Sequence, residues 1–155
     1  MTQPCSLVAA KVVFIGAGPG EADLITVRGS RLLAKAHVVL FDALADASLR
    51  DLAPQAEWID VGKRGFSGKE GSDFNGQTRI NQLLVEQALA TGAIHGEDGL
   101  VVRLKGGDPS LFGRLEEELH VLYDAKIPCE VVPGVTSALA AAAATQRPLT
   151  RRGTG

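Results

Sequence analysis

Two glycine-rich stretches carry the residue types that could do chemistry. Gly16-Ala17-Gly18-Pro19-Gly20 follows an apolar run and precedes a helical pattern, so its backbone N–H groups can face a ligand. In Lys105-Gly106-Gly107-Asp108-Pro109 two glycines permit close backbone approach, and Pro109 fixes the entry to a following helix. Asp108 reads either as the N-cap of a helix beginning near Ser110 or, taken with the first loop, as a carboxylate facing a ligand. A dinucleotide fingerprint would want a small residue where Glu21 stands, because a carboxylate there repels a pyrophosphate. Asp42, ending an apolar run where a ribose-binding acid belongs, keeps that reading open. A tight turn with no ligand is the third reading of the first loop.

Metal chemistry finds little support. His37, His95 and His120 fall on a strand, a loop and a helix with no ligand spacing, so no metal is expected. Cys5 and Cys129 lie outside any C-x-x-C pair, which argues against a disulfide framework or a zinc site and fits a reducing compartment.

The elements that must position these loops alternate along the chain. Apolar runs at Val12 to Ile15, Val38 to Phe41, Trp58 to Val61, Leu100 to Leu104 and Cys129 to Val132 predict five strands. Helical spacing links Ile80, Leu83, Leu84 and Ala88, and again Leu111, Leu115, Leu119 and Leu122. The pattern predicts an α/β domain: a parallel sheet of about five strands with helices on both faces. Ligands of such sheets bind beyond the carboxyl ends of the strands. The alanine-rich stretch Ala138 to Ala144 predicts a buried final helix, while Gly62 to Gly76 and Thr91 to Gly99 read as long loops.

Length and composition set the bounds. The 155 residues suit one domain, and 45% hydrophobic with 22% charged residues is a globular balance. The 18 glycines, above a usual share of about 7%, fit several ligand-approached loops. A net charge of -2 suggests neither a nucleic-acid coat nor a membrane-surface patch, so an anionic ligand must be met locally. No basic stretch precedes the first apolar run and no apolar segment reaches the roughly 18 residues of a span, which predicts a cytoplasmic protein. Residues 147–155 read as the start of an interdomain linker, so a truncated chain is expected.

Four segments in register, GAGPGEADLITVRGSRLLAKAHVVLFDAL, VGKRG, VVRLKGGDPSLFGR and EVVPGVTSALAAAA, resemble the tetrapyrrole (corrin and porphyrin) methylases over residues 11 to 152. The VGKR and LKGGDP pieces favour the member acting on uroporphyrinogen III over its corrin-pathway relatives. The resemblance implies a two-domain fold whose first domain is residues 11–146, preceded by an extension over 1–10, with the second domain absent. It implies S-adenosylmethionine as methyl donor, S-adenosylhomocysteine as its product, and C-methylation of uroporphyrinogen III to precorrin-2 for sirohaem or cobalamin synthesis. A homodimer is expected, with an anionic tetrapyrrole as the partner molecule and neither nucleic acid nor membrane.

By motif matching, the donor contacts in this half are Pro19, Gly106, Gly107, Asp108, Leu111, Thr136 and Ser137. A carboxylate such as Asp108 suits a donor whose sulfonium and ammonium are cations; Thr136 and Ser137 read equally well as helix caps after Pro133-Gly134. The resemblance carries Asp42 over as a proton acceptor and Lys63 as a proton donor, with Arg114, Glu117 and Arg152 at substrate-handling positions. An electron-rich pyrrole carbon attacks the methyl directly, so the protein must chiefly hold the two in line and remove the displaced proton. Arginine is a poor base with a planar fork, which makes Arg114 and Arg152 carboxylate anchors. Residue types alone also allow Arg114 a surface ion pair with Glu117 or Glu118, and Asp42 a loop cap.

The chain departs from the family pattern on the presumed substrate side. The stretch FSGKEGSDFNGQTRIN after VGKR is longer than usual and lacks a histidine, although Gln77 and Asn81 survive. Leu115 and Glu116 replace two glycines, Arg151 replaces a histidine and Phe41 a tyrosine. Another precorrin methyltransferase, a nicotinamide-binding domain and a non-catalytic binding module are the alternatives to the implied activity.

Overall fold

The computed structural model describes residues 8–42, 47–62 and 73–153. Five strands appear where the apolar runs predict them: β1 Lys11–Gly16, β2 Val38–Phe41, β3 Glu57–Asp60, β4 Leu100–Lys105 and β5 Cys129–Val132. They form one all-parallel sheet in the order β3-β2-β4-β1-β5. Parallel strands need crossover helices, which cover both faces and account for the uniformly apolar strand sequences. The helices are α1 Val27–Leu33, α2 Asp73–His95, α3 Leu115–Asp124 and α4 Ser137–Thr145.

Alternation along the strands splits the core in two. Val13, Ile15, Val39, Phe41, Val102 and Leu104 face Leu33 of α1 and Leu49 of the short 3-10 turn Ala47–Leu52. Val12, Phe14, Leu40 and Val101 face Leu84 and Ala88 of α2 and Leu122 of α3. Helix α1 begins where the Thr26 hydroxyl accepts the Gly29 N–H at 3.0 Å, an N-cap of the kind its sequence allows. The spacing Ile80, Leu83, Leu84 and Ala88 does lie on the core face of α2.

Four expectations need correcting. No helix starts near Ser110: Phe112 and Arg114 are left-handed, with φ of 57° and 53°, and helix geometry begins only at Leu115. Leu111 therefore stands apart from the α3 stripe of Leu115, Leu119 and Leu122. Thr91 to Gly99 is no loop, since α2 runs on to His95 and a 3-10 turn spans Gly96–Asp98; Gly92 packs against the chain entering β1, and Thr91 is buried beside Gly99. The segment Gly62 to Gly76 is helical from Asp73 onward, and its middle lies outside the described residues. The alanine-rich α4 forms but has no buried residue, with Leu139 55% exposed. Alanine dictates helix propensity, whereas burial needs a second layer, and nothing in the described chain is laid over this helix.

Cys129 is a free, half-buried thiol, and Cys5 lies outside the described residues. His37 and His95 stack with ring centroids 3.8 Å apart, and His37 Nδ1 accepts the Leu100 N–H at 3.1 Å. No helix among the described residues is long and apolar enough to cross a membrane.

Candidate functional site

Because β4, β1 and β5 are neighbours, the loops leaving their carboxyl ends meet at one place. Glycine lets them meet. A Cβ on Gly16 would lie 2.6 Å from both the Gly107 carbonyl oxygen and the Gly134 Cα, so only bare backbone fits where the three loops touch. Gly18 and Gly107 then exchange backbone hydrogen bonds, 3.3 Å from the Gly18 N–H and 2.7 Å from the Gly107 N–H. Both have positive φ, 81° and 63°, which a side chain would resist.

Asp108 ties this junction together. Its Oδ1 accepts the Ser110 N–H at 2.8 Å and its Oδ2 accepts the Gly134 N–H at 2.9 Å. The carboxylate thus closes a turn and clamps the β4 loop to the β5 loop, where the sequence suggested a helix cap. Each oxygen keeps a further lone pair for a ligand donor. Thr136 occupies the N-cap position of α4, yet its side chain makes no capping hydrogen bond. The first N–H groups of that helix are thus without a cap from Thr136, beside the cleft that Thr136 and Ser137 line.

The result is a cleft of about 380 Å³ lined by Gly18, Pro19, Gly106, Gly107, Asp108, Leu111, Phe112, Thr136 and Ser137. All seven residues assigned to the donor by motif are in this lining, together with Gly18 and Phe112, which motif matching did not single out. Gly18 stood in the quoted glycine run; Phe112 gave no signal beyond its place in LFGR.

The residues assigned to substrate and proton transfer are dispersed. Arg114 and Glu117 lie side by side in a two-pronged ion pair, Nε to Oε1 and an Nη to Oε2 both at 3.0 Å, with both side chains over 40% exposed. This is the surface pair that residue spacing allowed. It borders a larger open cleft over α3, about 630 Å³, lined among others by Phe112, Leu115, Glu116, His120 and Tyr123. Asp42 is half-buried at the end of β2. Arg152 is exposed in the C-terminal segment and lines neither cleft. Lys63 lies outside the described residues.

Sequence reasoning missed a buried charged group at the end of β4, the strand that leads into the cleft. Arg103 and Lys105 alternate with Leu104 on β4 and point toward α3, where Glu118 is wholly buried between them. Lys105 Nζ donates to Glu118 Oε2 at 2.7 Å and Arg103 Nε to Oε1 at 3.4 Å. Gln77 adds a 3.4 Å contact to Oε1 and a 2.8 Å bond to Asn81 Oδ1. Burial lowers the Lys105 pKa from 10.5 and the Arg103 charge adds to this, while Glu118 and Asp42 oppose it. Two charges in an otherwise apolar strand were the available signal; their acid was invisible until α3 was placed.

A family model of tetrapyrrole (corrin/porphyrin) methylases matches residues 11–155. A uroporphyrinogen-III C-methyltransferase of Synechocystis is 46% identical over 143 residues, covering 92% of this chain and 50% of that protein. A siroheme synthase of Halorhodospira halophila is 47% identical, over 92% of this chain and 27% of that protein. The crystal structure of a Thermus thermophilus uroporphyrin-III C-methyltransferase complexed with S-adenosylhomocysteine superposes with a TM-score of 0.68 at 43% identity, covering 92% of this chain and 51% of that one. The chain spans about half or less of the length of these relatives.

Proposed function

This chain belongs to the tetrapyrrole (corrin/porphyrin) methylase family, and from that premise we propose that it forms the donor-binding half of an S-adenosylmethionine-dependent methyltransferase acting on uroporphyrinogen III. The observation that carries the proposal is the single cleft joining Pro19, Gly106, Gly107, Asp108, Leu111, Thr136 and Ser137. The likeness to a solved relative holding S-adenosylhomocysteine supports the same donor.

The lining suits that molecule chemically. Asp108 offers an acceptor for ribose hydroxyls or the ammonium, the bare backbone at Gly106 and Gly107 permits close approach, and the open start of α4 favours the donor's carboxylate. When bound, S-adenosylmethionine supplies an electrophilic methyl group. The chain's own work is to orient and to exclude water. Leu111 gives the donor cleft its apolar side, Arg114 opens from Glu117 to take a substrate carboxylate, and Asp42 accepts the proton that the ring system loses elsewhere once the attacked carbon, which carries no hydrogen, is methylated. Lys63 as a proton donor and Arg152 as a second carboxylate anchor complete the reading, which rests for these two on the motif alone.

We further propose that residues 11–146 are one domain, 147–155 lead to a second, and the working unit is a cytoplasmic homodimer. The unburied face of α4 supports a covering second domain.

Anaerobic transfer of labelled methyl groups to uroporphyrinogen III tests the activity, using the 155-residue chain, the complete product of its gene and Asp108→Ala in each. Two methyls transferred by the complete product, and none by the variant, are expected. Donor binding without transfer to this substrate would redirect the reading to another precorrin.

A further inference from the structure

Phe112 is the most exposed large apolar residue described, at 99%, and its backbone is left-handed with φ of 57°. A bulky side chain in that region is an outlier that persists only when its surroundings impose it. They do impose it. The next residue, Gly113, is packed so closely that a Cβ would lie 2.8 Å from the Pro109 carbonyl oxygen and 2.9 Å from Lys105 Cε. Lys105 is in turn fixed by its buried bond to Glu118. Arg114, also left-handed, then turns the chain into α3.

Core packing among the described residues gives no reason for this arrangement, since the ring is not buried against any of them. Its position does. Phe112 stands on the ridge shared by the donor cleft and the larger cleft over α3. Leu111 lies on one side of it and the Arg114–Glu117 fork on the other. A substrate with aromatic pyrrole rings inside and carboxylates at its rim matches that sequence of groups: apolar ring against ring, guanidinium against carboxylate.

We propose that Phe112 is a substrate-contacting specificity residue, the platform against which one pyrrole of the tetrapyrrole packs so that its carbon faces the donor cleft. The inference rests on the tetrapyrrole reading above. It assigns Phe112 to the substrate although the ring also borders the donor.

The test uses the complete gene product and four proteins: wild type, Phe112→Ala, Phe112→Tyr and Phe112→Gly. In Phe112→Ala the KM for uroporphyrinogen III and the Kd for uroporphyrin III rise about threefold to tenfold, the range expected for one lost aromatic contact. The Kd for S-adenosylhomocysteine stays within about twofold, and Phe112→Tyr restores tetrapyrrole affinity. Phe112→Gly, which relieves the backbone, unfolds no earlier than wild type yet binds tetrapyrrole as weakly as the alanine variant. Weakened S-adenosylhomocysteine binding with unchanged tetrapyrrole binding would place the ring on the donor and overturn the proposal. Unchanged affinity for both would overturn it too. If wild type itself binds the donor but no tetrapyrrole, the substrate reading has failed first and this inference falls with it.

Discussion

The ammonium of Lys105, the residue before Gly106 of the donor cleft, lies 2.7 Å from Oε2 of Glu118, with the lysine side chain 5% and the glutamate 0% exposed. Arg103 shares the same carboxylate, so one buried anion serves two buried cations. A group of this kind resists losing a member far more than it stabilises the whole, because the remaining charges cannot be rehydrated in place.

Glu118→Gln keeps the shape and removes the charge, stranding Arg103 and Lys105. Urea denaturation should show a loss of about 3–5 kcal/mol. Lys105→Met leaves the Arg103–Glu118 pair intact and should cost less. Equal or reversed costs would show that Glu118 is not the hub.

The Lys105 proton gives a pH signature. Its folded pKa is lowered from 10.5, so between the folded value and 10.5 the unfolded chain holds more protons and this group makes stability rise with pH. Lys105→Met lacks that slope. The stability of wild type minus that of Lys105→Met should therefore grow through this alkaline window and stay constant below it. A difference that shrinks on approaching pH 10.5 would contradict a burial-dominated lysine.

Gly134→Ala strikes the loop junction. The added methyl would overlap the Gly107 carbonyl and come within 2.7 Å of Gly16 Cα, both backbone atoms that cannot swing aside. Calorimetric titration should show S-adenosylhomocysteine binding weakened about tenfold or more, of the size that small misplacements in preorganised sites produce. Retained affinity would mean that the three loops need not touch to form the cleft.

Arg114→Ala separates surface pairing from substrate handling. The exposed Arg114–Glu117 pair is worth about half a kcal/mol or less, so the melting temperature should barely move. The KM for uroporphyrinogen III should rise several-fold. A large stability loss with unchanged KM would reduce Arg114 to a structural role.

Much of this architecture was legible because strands buried on both faces must be apolar along their whole length. Val12 to Ile15 and Leu100 to Leu104 announced themselves for that reason, and the glycines closing β1 and β4 marked the loops. Other features were not legible. Leu111 fits the helical spacing of Leu115, Leu119 and Leu122, yet the left-handed turns at Phe112 and Arg114 remove it from α3 and deliver it to the cleft. Periodicity records side-chain types and is blind to a backbone reversal of this kind. Ala138 to Ala144 encoded a helix without encoding a cover for it.

What the sequence determined by itself is local: the alternation of strand and helix, the glycine loops at strand ends, and motifs specific enough to identify a family. These depend on steric freedom, hydrophobic pattern and residue type over a few neighbouring positions. Tertiary structure decided which loops meet, because the order β3-β2-β4-β1-β5 makes neighbours of β4, β1 and β5, far apart in the chain. It also decided that Glu118 pairs with both Arg103 and Lys105, and that Asp108 is shared between two loops. A charge or a carboxylate acquires its role from what stands within about 3 Å of it, and that distance is set only when the chain packs.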